Sequence, residues 1–187
     1  MSDNPDKLSK EKIITALEAL NKRLTEKGVT GELCIFGGAT MVLAFDARES
    51  TRDVDAVFVP KTEIYQAAAI IAEDLNLPVS WLNDGVKGFV SKEGGVTTEG
   101  MPQWENLRIM RPTTRYLLAM KCIAARVAEY DTAGDKNDII HLCRDLGINT
   151  TEEILDLVED YYPTARIPVK TQFFIAEIIA EMKGGAE

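Results

Sequence analysis

Two carboxylates, Asp53 and Asp55, flank the first residue of an apolar run from Val54 to Val59, and a Gly37-Gly38 pair ends fifteen residues before Asp53. Side chains on a strand alternate between faces, so carboxylates at i and i+2 point the same way. Neighbouring oxygen ligands of this kind suit a hard cation such as Mg²⁺ or Mn²⁺, which takes a few carboxylates and shares its remaining coordination with substrate phosphates. A Gly-Gly pair just before a helix lets backbone come close to those phosphates, with helix N–H groups aimed at them. Residues 37–55 therefore predict a metal-and-triphosphate site, with Asp53 and Asp55 as metal ligands and Gly37 and Gly38 against phosphate. The plainer alternative is a tight turn followed by a solvated carboxylate pair.

A second set of charged residues lies in helical sequence. Leu117-Leu118-Ala119-Met120-Lys121-Cys122-Ile123-Ala124-Ala125-Arg126 is nearly continuous apolar helix carrying two cations. At 100° per residue Lys121 and Arg126 project about 140° apart, so they do not share a face. Asp135 and Asp138 open the next helical segment, where negative charge is favoured by the helix dipole. Without a ligand, Lys121 reads as a cation reaching out along a buried helix, and the two aspartates read as N-terminal charge and caps.

The stretch Cys34-Ile35-Phe36-Gly37-Gly38-Ala39-Thr40, then Met41 to Ala47, then Thr51-Arg52-Asp53-Val54-Asp55-Ala56-Val57-Phe58 resembles the signature of the nucleotidyltransferase superfamily, which has the DNA polymerase beta-like fold. That signature is an apolar strand, Gly-Gly or Gly-Ser, about ten residues, and Asp-x-Asp in a second strand. The pattern Leu-Ala-Met-Lys-x-x-Ala-x-Arg followed by Asp-x-x-Asp-Ile-x-x-Leu is similar to the helical half of the abortive-infection type of prokaryotic nucleotidyltransferase, known from toxin–antitoxin pairs. Together the likeness covers roughly residues 33–146. It implies an Mg²⁺- or Mn²⁺-dependent enzyme that moves a nucleoside monophosphate from an NTP to an acceptor hydroxyl on RNA, protein or a small molecule. An antitoxin partner is a further implication.

By the same resemblance Gly37, Gly38, Thr40, Thr51 and Lys121 contact nucleotide, and Lys121 and Asp135 belong to the active site. A third carboxylate is expected after the third strand; Asp84 is the candidate and Glu105 the runner-up. The chain departs from the toxins at Gly134, which stands where they carry a basic residue, in a longer connection from Tyr130. A non-catalytic module of the same fold, binding a nucleotide or a partner protein, is the main rival. A metal-dependent phosphohydrolase fits less well, because such sites recruit histidine and the chain has only His141.

The elements that must position these residues follow from periodicity and punctuation. Ser9 caps a helix whose Ile13, Leu17, Leu20 and Leu24 recur at helical spacing, with Gly28 as its stop. Residues 33–36 and 54–59 are strands around a short helix at 39–47. Pro60 closes the second strand, and 62–75 is helical. A third strand is expected at 79–82, a turn at 83–88, an apolar patch at Phe89-Val90, a Gly- and Thr-rich loop at 93–102 and a further strand at 107–110. Helices alone follow, at about 113–130, 136–146, 151–160 and 168–183. The fold class is α/β (α+β): a mixed β-sheet flanked by helices over residues 1–111, and a C-terminal helical bundle over 112–187 that closes the cleft. Trp81 and Trp104 read as core or cleft wall, and Phe173, Phe174, Ile178 and Ile179 as the core face of the last helix.

Composition bounds the function. The chain has 187 residues, 45% hydrophobic and 27% charged, with a net charge of −9. Acidity argues against generic nucleic-acid binding, whose affinity comes from Lys and Arg on phosphates, although Arg108, Arg111, Arg115, Lys121 and Arg126 form one local basic stretch. No apolar stretch is long enough to span a membrane, and the polar N-terminus lacks a secretory core, so a cytoplasmic location is expected. Cys34, Cys122 and Cys143 read as buried reduced thiols. His141 lies mid-helix, where a surface or capping role is expected.

Overall fold

A computed structural model of the chain describes residues 7–125, 133–163 and 167–184. In chain order the elements are β1 (Leu8–Ser9), α1 (Lys10–Glu26), β2 (Gly31–Ile35), α2 (Gly37–Leu43), β3 (Ser50–Thr51), β4 (Val54–Val59), α3 (Lys61–Asp74), β5 (Leu82–Asn83), a 3₁₀ turn Gly85–Phe89, β6 (Val96–Thr97), β7 (Leu107–Pro112), α4 (Thr114–Ala124), α5 (Ala133–Leu146), α6 (Thr151–Glu159) and α7 (Val169–Gly184). The protein is mixed α/β. It divides into two compact units, Met1–Gly88 with Val96–Arg111, and Phe89–Gly95 with Pro112–Glu187.

The first unit is built on a mixed five-stranded sheet of order β5-β4-β2-β7-β6. β2 runs antiparallel to β4 and parallel to β7, and β4 runs parallel to β5. Residues paired across strands share a face, so the register divides the sheet's side chains in two. Leu33, Ile35, Val54, Ala56, Phe58, Leu107 and Ile109 lie on one face and are buried with the apolar stripes of α1 and α3 in one core. Cys34, Asp55, Val57, Asn83 and Met110 fall on the other, and all are half-buried. The hydrophobic alternation that fixes the core face thus also sends Asp55 to the opposite one, and Asp53, the half-buried residue just before β4, is tied to that side by its hydrogen bond with Asn83. α1 begins where expected, with the Ser9 hydroxyl accepting from Lys12 N at 3.3 Å.

In the second unit α4 packs against α5, α6 and α7, and α6 and α7 pack on each other. Tyr116, Leu117, Leu118, Cys122, Ile139, Cys143, Ile154, Leu157, Ile175 and Ile178 are buried there. Residues Phe89–Gly95, expected in the first domain, belong to this unit. Ser91 N donates to Tyr116 Oη at 2.6 Å, Ser91 Oγ to Tyr161 O at 2.6 Å, Tyr162 Oη to Phe89 O at 2.5 Å, and Thr113 N to Gly95 O at 3.0 Å. These polar ties hold a segment whose sequence reads only as an apolar patch running into a loop.

Several elements differ from the sequence expectation. The third strand is not at 79–82 but at Leu82–Asn83, because Trp81 N closes a turn on Pro78 O at 2.9 Å. That turn sends the indole into the core, where Nε1 donates to Ala68 O at 3.0 Å. α2 starts on the glycines themselves and ends at Leu43, where Ala44 N caps onto Thr40 O. The loop at 93–102 contains β6, an edge strand whose pairing overrides its composition. β1 and β3, which pair antiparallel, are too short to leave a periodic signal. α5 begins earlier than expected, at Ala133. Phe173 is 73% exposed, whereas Thr171, Phe174, Ile175, Ile178 and Ile179 form the buried stripe. At 100° per residue Phe173 lies nearly opposite that stripe. The helix expected through 126–130, with Arg126, lies outside the described residues.

Candidate functional site

Asp55 is held where β4 meets the end of β2, its carbonyl accepting from Phe36 N at 2.8 Å. The next residue, Gly37, has φ +62°, a left-handed conformation that costs any residue with a Cβ about 1–2 kcal/mol. A Cβ on Gly37 would stand 3.3 Å from Asp55 Oδ2. Gly38 is packed more tightly: a Cβ there would lie 2.5 Å from Thr51 Oγ1, with Arg48 Nη1 at 3.5 Å. β3 places Thr51 there by pairing with Leu8 of β1. Each glycine therefore has a local reason to lack a side chain, and the result is bare backbone beside a half-buried carboxylate. Gly37, Gly38, Thr51, Asp53 and Asp55 are brought together, and Arg48 joins them.

Asn83 completes the arrangement. Its Cα is the register partner of Asp55 in the β4–β5 pair, and its Nδ2 donates to Asp53 Oδ2 at 3.1 Å. Asp84, expected to supply the third carboxylate, is engaged elsewhere. It binds Lys61 Nζ at 3.1 Å and Lys87 Nζ. Glu105, the runner-up, precedes β7, whose first residue Leu107 lies beside Gly31 at the start of β2, while Asp55 adjoins Phe36 beyond the other end. At about 3.3 Å per residue that is some 15 Å of strand. Among the described residues no group of three carboxylate, histidine or cysteine side chains is placed to hold a metal ion. Thr40 is also reassigned. Its hydroxyl is fully buried and donates to Ile35 O at 2.7 Å, which commits it to the strand–helix turn rather than to a ligand.

The two aspartates and their surroundings nonetheless fit a hard dication. Both offer oxygen from the half-exposed face of the sheet, Asn83 is a neutral neighbour, and glycine leaves room beside Asp55 for phosphate oxygens, as Mg²⁺ sites require.

Lys121 lies in the second unit, on the apolar helix α4, and is 8% exposed. Its Nζ meets Asp138 Oδ2 at 2.5 Å and Asp135 Oδ1 at 3.8 Å. Asp138 is only 1% exposed and Asp135 lies in the first turn of α5. Lys121 and Asp135 are thus close, but the nearer partner is Asp138. The local basic stretch is dispersed into ion pairs: Arg108 with Glu32, Arg111 with Glu99, Arg115 with Asp160. Arg111 is buried, donates to Glu99 O at 2.8 Å and lies over the Phe45 ring. Burial pushes the Cys34 and Cys143 thiols up to about 12 and raises Cys122 as well, so none is a poised nucleophile. His141 is half-buried on α5. Among the described residues no helix is long and apolar enough to cross a membrane.

Two residues of this site were missed from sequence. Arg48 lies in the connection between α2 and β3, and a cation returning toward Asp-x-Asp was the available signal. Asn83 sits directly before Asp84, and only the β5 register shows that the amide, not the carboxylate, faces the pair. Compared with protein-family models, with curated proteins and with solved structures, the chain matches none.

Proposed function

We propose that the protein is a nucleotidyltransferase of the DNA polymerase beta-like type, acting in the cytoplasm, that transfers a nucleoside monophosphate from an NTP to an acceptor hydroxyl. One observation carries the proposal: Asp55 on β4 and Asp53 just before it lie on the side of the sheet where Asn83 meets them, the side-chain-free backbone of Gly37 lies beside Asp55, and Gly38 lies beside Thr51 and Arg48. In the reaction the acceptor oxygen bonds to the α-phosphorus, the α–β anhydride bond breaks, pyrophosphate leaves with the bonding electrons, and the hydroxyl proton passes to a base. Asp53 and Asp55 would hold Mg²⁺ or Mn²⁺, which when bound neutralises triphosphate charge and polarises the reacting phosphoryl group.

The chain's own residues do the remaining work. Gly37 keeps a side chain away from Asp55, and Gly38 lets backbone lie against Thr51. Arg48 and Thr51, which flank Gly38, offer a cation and a hydroxyl to phosphate oxygens. By the resemblance, Lys121 serves the triphosphate and Asp135 the acceptor side. The acceptor is an RNA end, a protein hydroxyl or a small molecule, and an antitoxin is the proposed protein partner.

A second reading is a module of this type that binds nucleotide without turnover. It is favoured by the lack, among the described residues, of a third carboxylate beside the pair. Incubation of the protein with each labelled NTP, Mg²⁺ and total cell RNA or protein separates the two. Transfer of label with pyrophosphate release, lost in Asp53→Asn and Asp55→Asn, supports the enzyme. Nucleotide binding with no pyrophosphate from any NTP supports the module.

A further inference from the structure

We propose that Asn83 is a positioning residue of the Asp53/Asp55 site, standing in the place of a third carboxylate and holding Asp53 in its ligating orientation. This rests on the metal-site reading above. The backbone puts Asn83 there: β5 is parallel to β4, Asn83 is paired with Asp55, and Trp81 O accepts from Val54 N at 2.6 Å to begin the ladder. The amide reaches across to Asp53 rather than to its own register partner, with Nδ2 at 3.1 Å from Oδ2.

The orientation of that amide follows from its other hydrogen bond. Gly85 N lies 2.9 Å from Asn83 Oδ1. A backbone N–H can only donate, so the oxygen must face Gly85 and the NH₂ must face Asp53. Reversing the amide would set two donors against each other and remove the donor from the carboxylate. Asp53 Oδ2 is therefore engaged, and Oδ1 is the oxygen offered to a cation.

The turn that carries Asn83 is braced as well. The next side chain, Asp84, is gripped by Lys61 from the start of α3 and by Lys87, and Lys87 N donates to Asp84 O at 3.3 Å. Asp84 thus contributes to the site by fixing the turn, not by ligation.

The consequence is electrostatic. An amide in the third position adds no charge to the two aspartates, whereas a carboxylate there would add one and hold a divalent cation more tightly. The protein without nucleotide accordingly holds a divalent cation loosely, and the phosphates of a nucleotide supply the ligands that are lacking.

The test is a titration of the full-length chain with Mn²⁺ in the absence of nucleotide, following free Mn²⁺ by electron paramagnetic resonance. Wild type, Asn83→Asp, Asn83→Ala and Asp53→Asn are compared, with thermal unfolding recorded for each. Wild type binds one ion. Asn83→Asp replaces the donor with a charge; it binds Mn²⁺ roughly tenfold or more tightly, melts lower without metal, and is raised more by Mn²⁺ than wild type. Asn83→Ala releases Asp53 and binds several-fold more weakly at a melting temperature close to wild type. If Asn83→Asp does not fold, Asn83→Ala carries the test alone. Wild-type affinity in Asn83→Ala overturns the positioning role whatever Asn83→Asp does, provided Asp53→Asn loses the ion. If Asp53→Asn also binds like wild type, the metal reading itself fails and takes this role with it.

Discussion

At the residue scale, Lys121 is committed to a buried ion pair. The resemblance assigns it to a triphosphate, yet its Nζ sits 2.5 Å from Asp138, which is almost wholly buried. Removing the cation from a buried carboxylate costs about 3–5 kcal/mol, whereas replacing both partners by apolar side chains is close to neutral. Lys121→Met is therefore expected to lose about that much in chemical denaturation, and Lys121→Met with Asp138→Leu to recover most of it. A single mutant within about 1 kcal/mol of wild type would show that the pair is not structural. This changes how any loss of nucleotide binding in Lys121→Met must be judged: only the refolded double mutant separates charge from stability. Asp53 and Asp55 were legible in sequence because period two is a property of any strand. Asn83 was not, because which of two adjacent polar residues faces a neighbouring strand depends on where that strand begins. Trp81, by turning into the core, delays β5 enough to present the amide and divert Asp84.

At the element scale the long helices and the two central strands follow from sequence, since each carries several turns of period 3.6 or several residues of period two. The two-residue strands β1, β3, β5 and β6 do not, and two of them position site residues: β3 sets Thr51 against Gly38, and β5 sets Asn83 beside Asp55. Their signal lies in pairing, which a single segment does not display. α6 is the opposite case. Thr150 and Glu153 form a reciprocal capping box, with Glu153 N donating to Thr150 Oγ1 at 3.2 Å and Thr150 N to Glu153 Oε2 at 3.0 Å. A backbone hydrogen bond from Asn149, with others from Thr150, holds the Glu153 carboxyl below its ordinary range. A depressed folded-state pKa contributes stability above the unfolded value, about 4.3, and that contribution is lost as pH falls through the folded value. Glu153→Gln should accordingly lower the melting temperature at pH 7 and converge on wild type as pH drops below 4. A difference independent of pH would mean that the carboxylate charge plays no part in the cap.

At the scale of the whole molecule, the chain is an acidic protein of net charge −9 in which Arg108, Arg111 and Arg115 each meet a carboxylate. Among the described residues these cations are tied into ion pairs, so on the proposed reading a metal ion and phosphate contacts would take on most of the recognition of nucleic acid. The division into a sheet unit and a helical unit was readable from the change of pattern near Arg111. The membership of Phe89–Gly95 in the helical unit was not, because it depends on hydrogen bonds to tyrosines far along the chain. The sheet unit carries Asp53, Asp55, Gly37 and Gly38, and the proposal stands or falls on whether these act as one site. The most direct measurement is calorimetric titration of each NTP into the full-length chain, with and without Mg²⁺, for wild type, Asp53→Asn and Asp55→Asn. The expected result is Mg²⁺-dependent binding of at least one NTP by wild type, lost in both variants, whose melting temperatures stay near wild type. Binding that is indifferent to Mg²⁺, or unchanged in both variants, would contradict the site.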